Sequence, residues 1–336
     1  MAQVAMTEQA PPFAEVFAEL TSANGISPAR VEQVFTAIFS GAWTSAQVAG
    51  FLVALRMGGE SAEVIAAAAT AMRRVMLRVE HQLPRVLDTC GTGGDGSGTL
   101  NLSTGAALIA AACGIPVAKH GNRAATSRAG SADVLEAMGV PLDVPASAQG
   151  SVLQQANIAF LFAQAHHPAM RHVMPVRREL GVRTLFNCLG PLANPAGATH
   201  QLVGAFDDAM RPVLAKALLR LGTERAWVVR SVDGLDEVSP YAVTRVTVLD
   251  RGRLEELEVA PEDFGLERSA AGAALGGDVA ENARVLLAVL AGEPHPSCDA
   301  FVLNAAAALV VAEGADPREA ARKAREALRS GAALAT

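Results

Sequence analysis

A chain of 336 residues, 51% apolar and 18% charged, has enough material for two or three packed domains and is not a disordered polymer. Its net charge of −6 argues against a nucleic-acid-binding face and favours a small-molecule partner. Four dispersed cysteines (Cys90, Cys113, Cys188 and Cys298) form no CxxC pair, which argues against a disulfide scaffold or zinc knuckle and fits a reducing cytoplasm.

Residues 1–12 read as a flexible leader. No basic, apolar signal-peptide start is evident, since the first cation after the amino group is Arg30, and no run reaches the roughly 20 apolar residues of a membrane span. From Phe13 to about Arg78 the pattern is helical. SPARVEQVFTAIFSG starts at a Ser-Pro cap and stops at Gly41, TSAQVAGFLVALRMGG starts at Thr44 and stops at a glycine pair, and SAEVIAAAATAMRRVM opens on Ser-Ala-Glu. About four helices are predicted. After Pro84 the period changes: RVLDTCG (85–91) and GIPVAKHG (114–121) read as buried strands around the helix STGAALIAAAC (103–113), a crossover suited to parallel strands. ADVLEAMG reads as a helix, IAFLFAQ (158–164) as a strand, and 167–180 as a helix that Pro175 interrupts. HQLVGAF and RAWVVRS add strands, AVTRVTVLD and RLEELEVA predict an antiparallel hairpin around Arg251-Gly252, and three alanine-rich helices close the chain. The fold class predicted is α/β: a small all-helical N-terminal domain plus a large α/β domain with a mixed, mainly parallel sheet flanked by helices.

DTCGTGGDGSGTLNLSTG (88–105) satisfies GxGxxG through Gly91, Gly93 and Gly96. A dinucleotide site would run straight from the last glycine into its helix and place an acid after the second strand. Here SGTLNLST intervenes and the second strand ends in Lys119-His120, and no Gly-Lys-Ser/Thr makes a Walker loop. Glycine amides and the helix start at Asn101, Ser103 and Thr104 suit two spaced phosphates, although Ser103 also suits a plain helix cap. KHGNRAATSRAGSAD (119–133) brings Lys119, Arg123 and Arg128 to the same sheet edge, either as a solvated loop or as a basic wall. The turn bearing Asp233, Asp236 and Glu237 is either a surface turn or, beside a polyphosphate, a magnesium site. His166, His167 and His172 lack metalloprotease spacing, Cys188 reads as a structural thiol, and RTLFNCLGPLANP (183–195) is loop packing or an apolar wall for an aromatic acceptor.

Together, GTGGDGSGTLNLST, KHGNRAATSRAGSADVLEAMG, HHPAMRHVMPVRRELGVRTLFNCLGPLANP and DGLDEVSP stand in the order and spacing of the anthranilate phosphoribosyltransferases. The resemblance runs from AQVAGFLVALRMGGES to FVLNAAAALVVA, nearly the whole chain. It implies a helical domain over 13–80, completed by about 166–188, and a phosphoribosyl-diphosphate-binding domain over 81–165 and 189–336. It also implies magnesium, about two ions per monomer, and a homodimer formed through the helical domain, with no nucleic-acid or membrane partner. For the donor, 5-phosphoribosyl 1-diphosphate, it implies Gly91, Gly94, Asp95, Thr99, Asn101, Leu102, Ser103, Thr104, Lys119, His120, Gly121, Asn122, Arg123, Ala124, Ala125, Thr126, Ser127 and Ser131. Anthranilate would meet Gly91, His120, Asn122, Arg177 and Pro191, while Ser103, Asp236 and Glu237 would ligate magnesium; no acid or base is assigned. The chain departs from the family pattern at Arg230-Ser231, in place of a His-Gly pair, at Ala193 and at Ser297-Cys298. A pyrimidine nucleoside phosphorylase shares the architecture, but carries a Lys-His-Ser run where Asp88-Thr89-Cys90 stand. A non-catalytic nucleic-acid-binding paralogue would have lost part of the donor loop and gained basic patches.

Overall fold

The computed structural model of the chain describes residues 10–124 and 128–336, so the first nine leader residues and Ala125, Thr126 and Ser127 lie outside it. Four helices come first: α1 (Phe13–Leu20), α2 (Pro28–Ser40), α3 (Ser45–Gly58) and α4 (Ala62–Val75). Their ends follow local chemistry. Ser27, Thr44 and Ser61 accept hydrogen bonds from the backbone N–H groups of Arg30, Gln47 and Val64, satisfying donors that a first turn leaves free. Gly41 ends α2 in the left-handed region at φ 75°.

The rest of the chain runs β1 (Leu87–Asp88), α5 (Leu102–Ala112), β2 (Val117–Gly121), α6 (Ser131–Ala137), α7 (Ala146–Ala156), β3 (Ile158–Phe162), α8 (Ala163–His166), a 3-10 turn (Pro168–His172), α9 (Met174–Leu180) and α10 (Phe186–Leu192). It continues through β4 (His200–Gly204), α11 (Met210–Arg220), β5 (Arg225–Ser231), β6 (Thr244–Asp250), β7 (Arg253–Val259), a 3-10 turn (Pro261–Phe264), α12 (Val279–Leu290), α13 (Cys298–Glu313), α14 (Pro317–Arg329) and α15 (Ala332–Ala335). One seven-stranded sheet has the order β3-β2-β1-β4-β5-β6-β7. Its first five strands are parallel, and Leu87 pairs with both Val117 and His200. β6 and β7 are antiparallel, closed by the predicted turn at Arg251 (φ 44°) and Gly252 (φ 88°), whose left-handed pair matches strand twist.

From β1 the chain builds outward to β2 and β3, then crosses to β4 on the other side of β1. The strand order therefore reverses at β1, and the crevice beyond the carboxyl ends of these strands is where ligands bind in such sheets. The apolar cluster of α1–α4 takes in Phe186, which also lines this crevice. Phe186 lies 5.4 Å from Phe35 and 6.1 Å from Phe39 between ring centroids, and Val173, Val176 and Leu189 join the same apolar cluster. That cluster continues without a break into Leu214 of α11 and Val203 and Val228 of the sheet.

One sequence expectation needs correction. Pro175 does not interrupt a helix; it sits in the first turn of α9, where its missing N–H is harmless, and the break is the 3-10 turn before it. The sequence reading leaves out α7, α10 and α11, of which α7 buries only Gln149, Gly150 and Leu153 and α10 has Pro191 inside it.

Candidate active site

β1 ends at Asp88, whose buried carboxylate accepts from the His120 backbone N–H at 3.1 Å and from Asn194 Nδ2 at 2.7 Å. Burial raises its pKa to about 6 against the pull of Lys119. Asp88 thus ties the end of β1 to β2 and to the segment after α10. The glycine loop follows, anchored where Thr92 donates from its backbone N–H (2.8 Å) and its Oγ1 (3.0 Å) to the Gly204 carbonyl at the end of β4. Gly93, Gly94, Gly96 and Gly98 then hold φ between 64° and 78°, a run open to glycine that lets backbone amides face an anion.

Where α5 begins, Ser103 is not the cap. Asn101 holds the N-cap position without a capping bond; its Nδ2 donates to Ala129 O and its Oδ1 accepts from Asn282 Nδ2, both at 3.1 Å. Ser103 lies inside the helix, with its N–H 3.3 Å from Glu237 Oε1 and its Oγ accepting from Lys119 Nζ at 3.3 Å. Lys119 is 3% exposed and also donates to Thr89 Oγ1 (3.3 Å) and O (3.4 Å). No carboxylate among the described residues forms an ion pair with it, so a buried ammonium is held by neutral oxygens. Arg123 differs: it is paired with Asp133 at 3.0 Å and Glu136 at 2.8 Å, so much of the expected basic wall is already neutralised.

In the turn after β5, Asp233 accepts from Ser239 Oγ (2.6 Å) and the Leu235 N–H (3.3 Å) and closes the turn itself. Asp236 and Glu237 face the crevice, and the Asp236 N–H donates to Asp95 Oδ2 at 3.3 Å. Gly204 makes this approach possible, because a Cβ there would lie 1.7 Å from the Asp236 carbonyl oxygen. Burial pushes both carboxyl groups well above their ordinary range; Asp95 adds to the effect on Asp236, and Asp236 to that on Glu237. Arg230, one of the departures from the family pattern, opposes this charge and donates to Ala205 O at 3.2 Å. Three carboxyl groups so placed form an oxygen-rich site that a divalent cation would relieve.

On the opposite side, His120 Nδ1 bonds Gly190 O at 2.9 Å, and its Nε2 lies 3.2 Å from His167 Nε2. Burial depresses these histidines to about 4 and about 3, so both are neutral near pH 7. The other helical-stretch histidines diverge: His166 bonds Leu77 O at 2.8 Å, and His172 lies beside Arg171. Asp88, Cys90 and His120 converge within 4.8 Å, but the carboxylate and Nδ1 are already engaged by protein partners. Cys188 is buried, with its thiol pushed up to about 12, as suits a structural residue. Arg177, half-buried on α9, lies 5.8 Å over the Phe186 ring and has no carboxylate partner among the described residues.

A cavity of about 370 Å³ joins these parts. It brings together Gly91, Gly94, Asn101, Ser103, Thr104, Lys119, His120, Gly121, Asn122, Arg123, Ala124, Ser131, Arg177, Pro191, Asp236 and Glu237. Leu102 is packed in the core, Thr99 bridges to Leu275, and Asp95 connects to the site through Asp236. Sequence reasoning misses Asn194, Gly204, His167 and Phe186. Asn194 and Phe186 lie in the RTLFNCLGPLANP run, read as loop packing or an apolar wall, whereas the roles of Gly204 and His167 depend on packing.

Among known families, residues 83–334 match the glycosyl transferase family a/b domain and residues 14–76 match its helical bundle domain. The anthranilate phosphoribosyltransferase of Methylobacterium radiotolerans is 49% identical over 325 residues, covering 96% of this chain and 94% of that one. The chain belongs to the anthranilate phosphoribosyltransferase family. The family member from Rubrobacter xylanophilus is also 49% identical, over 96% of this chain and 94% of its own. The crystal structure of anthranilate phosphoribosyltransferase from Thermus thermophilus has a TM-score of 0.89 at 43% identity, covering 96% of both chains. The Saccharomyces cerevisiae family member in complex with PRPP and Mg has a TM-score of 0.89 at 31% identity, over 96% of this chain and 95% of that one. The helical bundle followed by an α/β domain, predicted from sequence, is the family's fold.

Proposed function

We infer that the chain transfers the 5-phosphoribosyl group of 5-phosphoribosyl 1-diphosphate to the amine of anthranilate, giving N-(5-phosphoribosyl)anthranilate and diphosphate, the second step from chorismate to tryptophan. One observation carries the reading. A single cavity is lined by Lys119, the glycine loop, an acidic pair and Arg177, with neither cation paired to a carboxylate among the described residues. This arrangement fits a diphosphate with its metal beside a molecule that carries a carboxylate.

In this reading Gly91, Gly94, Asp95, Thr99, Asn101 to Thr104, Lys119 to Ala124 and Ser131 hold the donor, with Ala125, Thr126 and Ser127 continuing the same loop. Ser103, Asp236 and Glu237 hold magnesium, about two ions per chain, and the raised pKa values of both acids fit that role. Magnesium held by these residues would supply positive charge toward the diphosphate. Lys119 adds a fixed positive charge there, while the Arg177 fork and the Pro191 wall orient anthranilate. Its aryl amine is already neutral at pH 7 and needs no strong base, consistent with a neutral His120. The helical unit over 13–80 and 166–188 closes on the α/β unit over 81–165 and 189–336 and excludes water. Exposed Phe17, Val53 and Met57 on α1 and α3 support a homodimer through the helical unit. No helix among the described residues is long and apolar enough to cross a membrane, and the four free thiols suit the cytoplasm.

The test follows anthranilate fluorescence with the donor, with and without magnesium, for wild type and Asp236→Ala/Glu237→Ala. Magnesium-dependent consumption that falls at least about 100-fold in the folded double variant is expected. A folded wild type that consumes no anthranilate overturns the reading.

A further inference from the structure

Helix α5 opens on the cavity without the cap that its sequence allows. Asparagine is among the best N-cap residues, because its side-chain oxygen accepts from the second or third backbone N–H of the helix. Asn101 holds that position, with Leu102, Ser103 and Thr104 following, yet its side chain makes no such bond. A capping Asn101 would turn its Oδ1 onto the Ser103 or Thr104 N–H and set partial negative charge where the helix start favours an anion. The Ser103 N–H instead reaches Glu237 Oε1 at 3.3 Å, in the wall of the cavity.

Asn282 withholds the cap. It lies on α12, does not line the cavity and is 3% exposed. The backbone dictates the orientation of its amide: Oδ1 accepts from the Gly277 N–H at 2.7 Å, which leaves Nδ2 to donate to Asn101 Oδ1 at 3.1 Å. Asn101 Nδ2 in turn donates to Ala129 O at 3.1 Å. Both ends of the Asn101 amide are therefore engaged, and turning it toward α5 would break two hydrogen bonds. The residues just before Asn282 hold the preceding loop. The Leu100 N–H donates to Ala274 O at 2.9 Å, the Gly276 N–H donates to Gly98 O at 2.8 Å, and Thr99 bridges to Leu275 in antiparallel fashion. Gly276 permits this approach, since a Cβ there would lie 2.8 Å from the Thr99 carbonyl oxygen. Residues 274–282 thus clasp the end of the glycine loop and the N-cap of α5.

We propose that Asn282 is a positioning residue for the phosphoribosyl donor: by occupying Asn101 Oδ1 it keeps the start of α5 uncapped and open to a phosphate group. The identity of that substrate rests on the transferase reading, and the role of Asn282 on the geometry of α5. Asn282→Ala removes the restraint without adding charge. Asn282→Asp keeps the size and the acceptor for the Gly277 N–H, and loses the N–H that Asn101 receives. Val285→Ala, at a buried position of the same helix, controls for lost stability. Inorganic diphosphate with magnesium is titrated calorimetrically into the full chain without anthranilate, and steady-state kinetics are measured with each substrate varied in turn. Both Asn282 variants should raise the diphosphate Kd and the KM for the phosphoribosyl donor at least about fivefold, with kcat and the anthranilate KM within about twofold of wild type. Val285→Ala should lower Tm and leave these four quantities unchanged. An unchanged diphosphate Kd in either folded Asn282 variant, an equal rise in Val285→Ala, or parallel rises in both KM values overturns the role. A wild type that binds diphosphate but consumes no anthranilate fails the transferase reading alone, because the diphosphate Kd reads Asn282 without the acceptor substrate.

Discussion

Lys119 and Arg177 are cations that the fold draws inward without pairing either to a carboxylate among the described residues. Desolvation holds the Arg177 guanidinium below its ordinary range, and that penalty is relieved when a carboxylate docks. Arg177→Ala should lower kcat/KM for anthranilate by at least about 30-fold, the equivalent of roughly 2 kcal/mol, and Arg177→Lys should not restore it. Steady-state kinetics with each substrate varied checks this; a loss confined to the donor KM would contradict the assignment. Lys119, Asp236 and Glu237 are legible in the sequence because charged residues at strand ends stand out against apolar runs. His167 is not, since its role arises only where Nε2 meets that of His120 at 3.2 Å. This buried pair also sets a pH dependence. The folded pKa values, about 4 and about 3, lie below the unfolded value of about 6.5, so their contribution is full above pH 6.5 and declines as pH falls, by about 1.4 kcal/mol per unit per histidine. Asp88 works in the opposite sense, because its raised pKa stabilises the fold as pH drops through about 6. His167→Asn should therefore lose about 2 kcal/mol less stability than wild type between pH 7 and pH 5, read from urea midpoints at both values.

Elements position the site through close backbone approaches that composition does not reveal. The ends of β4 and β1 and the acidic turn meet at Gly204, where an added methyl carbon would stand 1.7 Å from a carbonyl. Gly204→Ala should displace the turn, raise the magnesium concentration for half-maximal activity at least about tenfold and lower Tm by several degrees; activity against magnesium and a melting curve measure both. A glycine ending a buried strand reads in sequence as a plain stop, which is why this one is missed. Helix ends are more legible: Ser27, Thr44 and Ser61 cap as their local sequences predict. Where residues carry two meanings, legibility fails. Ser103 is an acceptable cap by type, yet Asn101 takes the N-cap position and leaves Ser103 free to meet Lys119.

Across the whole molecule the cavity collects segments from residue 89 to residue 237, so the site depends on long-range packing and not on one motif. The exposed apolar side chains of α1 and α3 make self-association testable. The chain should sediment at twice its monomer mass, and Met57→Glu, at a position 84% exposed, should shift it toward monomer; a wild type that stays monomeric at micromolar concentration removes the homodimer proposal.

The packing of Phe186 between Phe35 and Phe39 has a consequence for how the protein is made. Helices α1–α4 are complete at Val75, but the rings that seal their apolar face are encoded about 110 residues later. At about 5–20 residues per second, a nascent chain carries that face uncovered for about 6–20 s. During this interval the first helices are a target for chaperones, and a message that slows translation before residue 186 prolongs their exposure to aggregation.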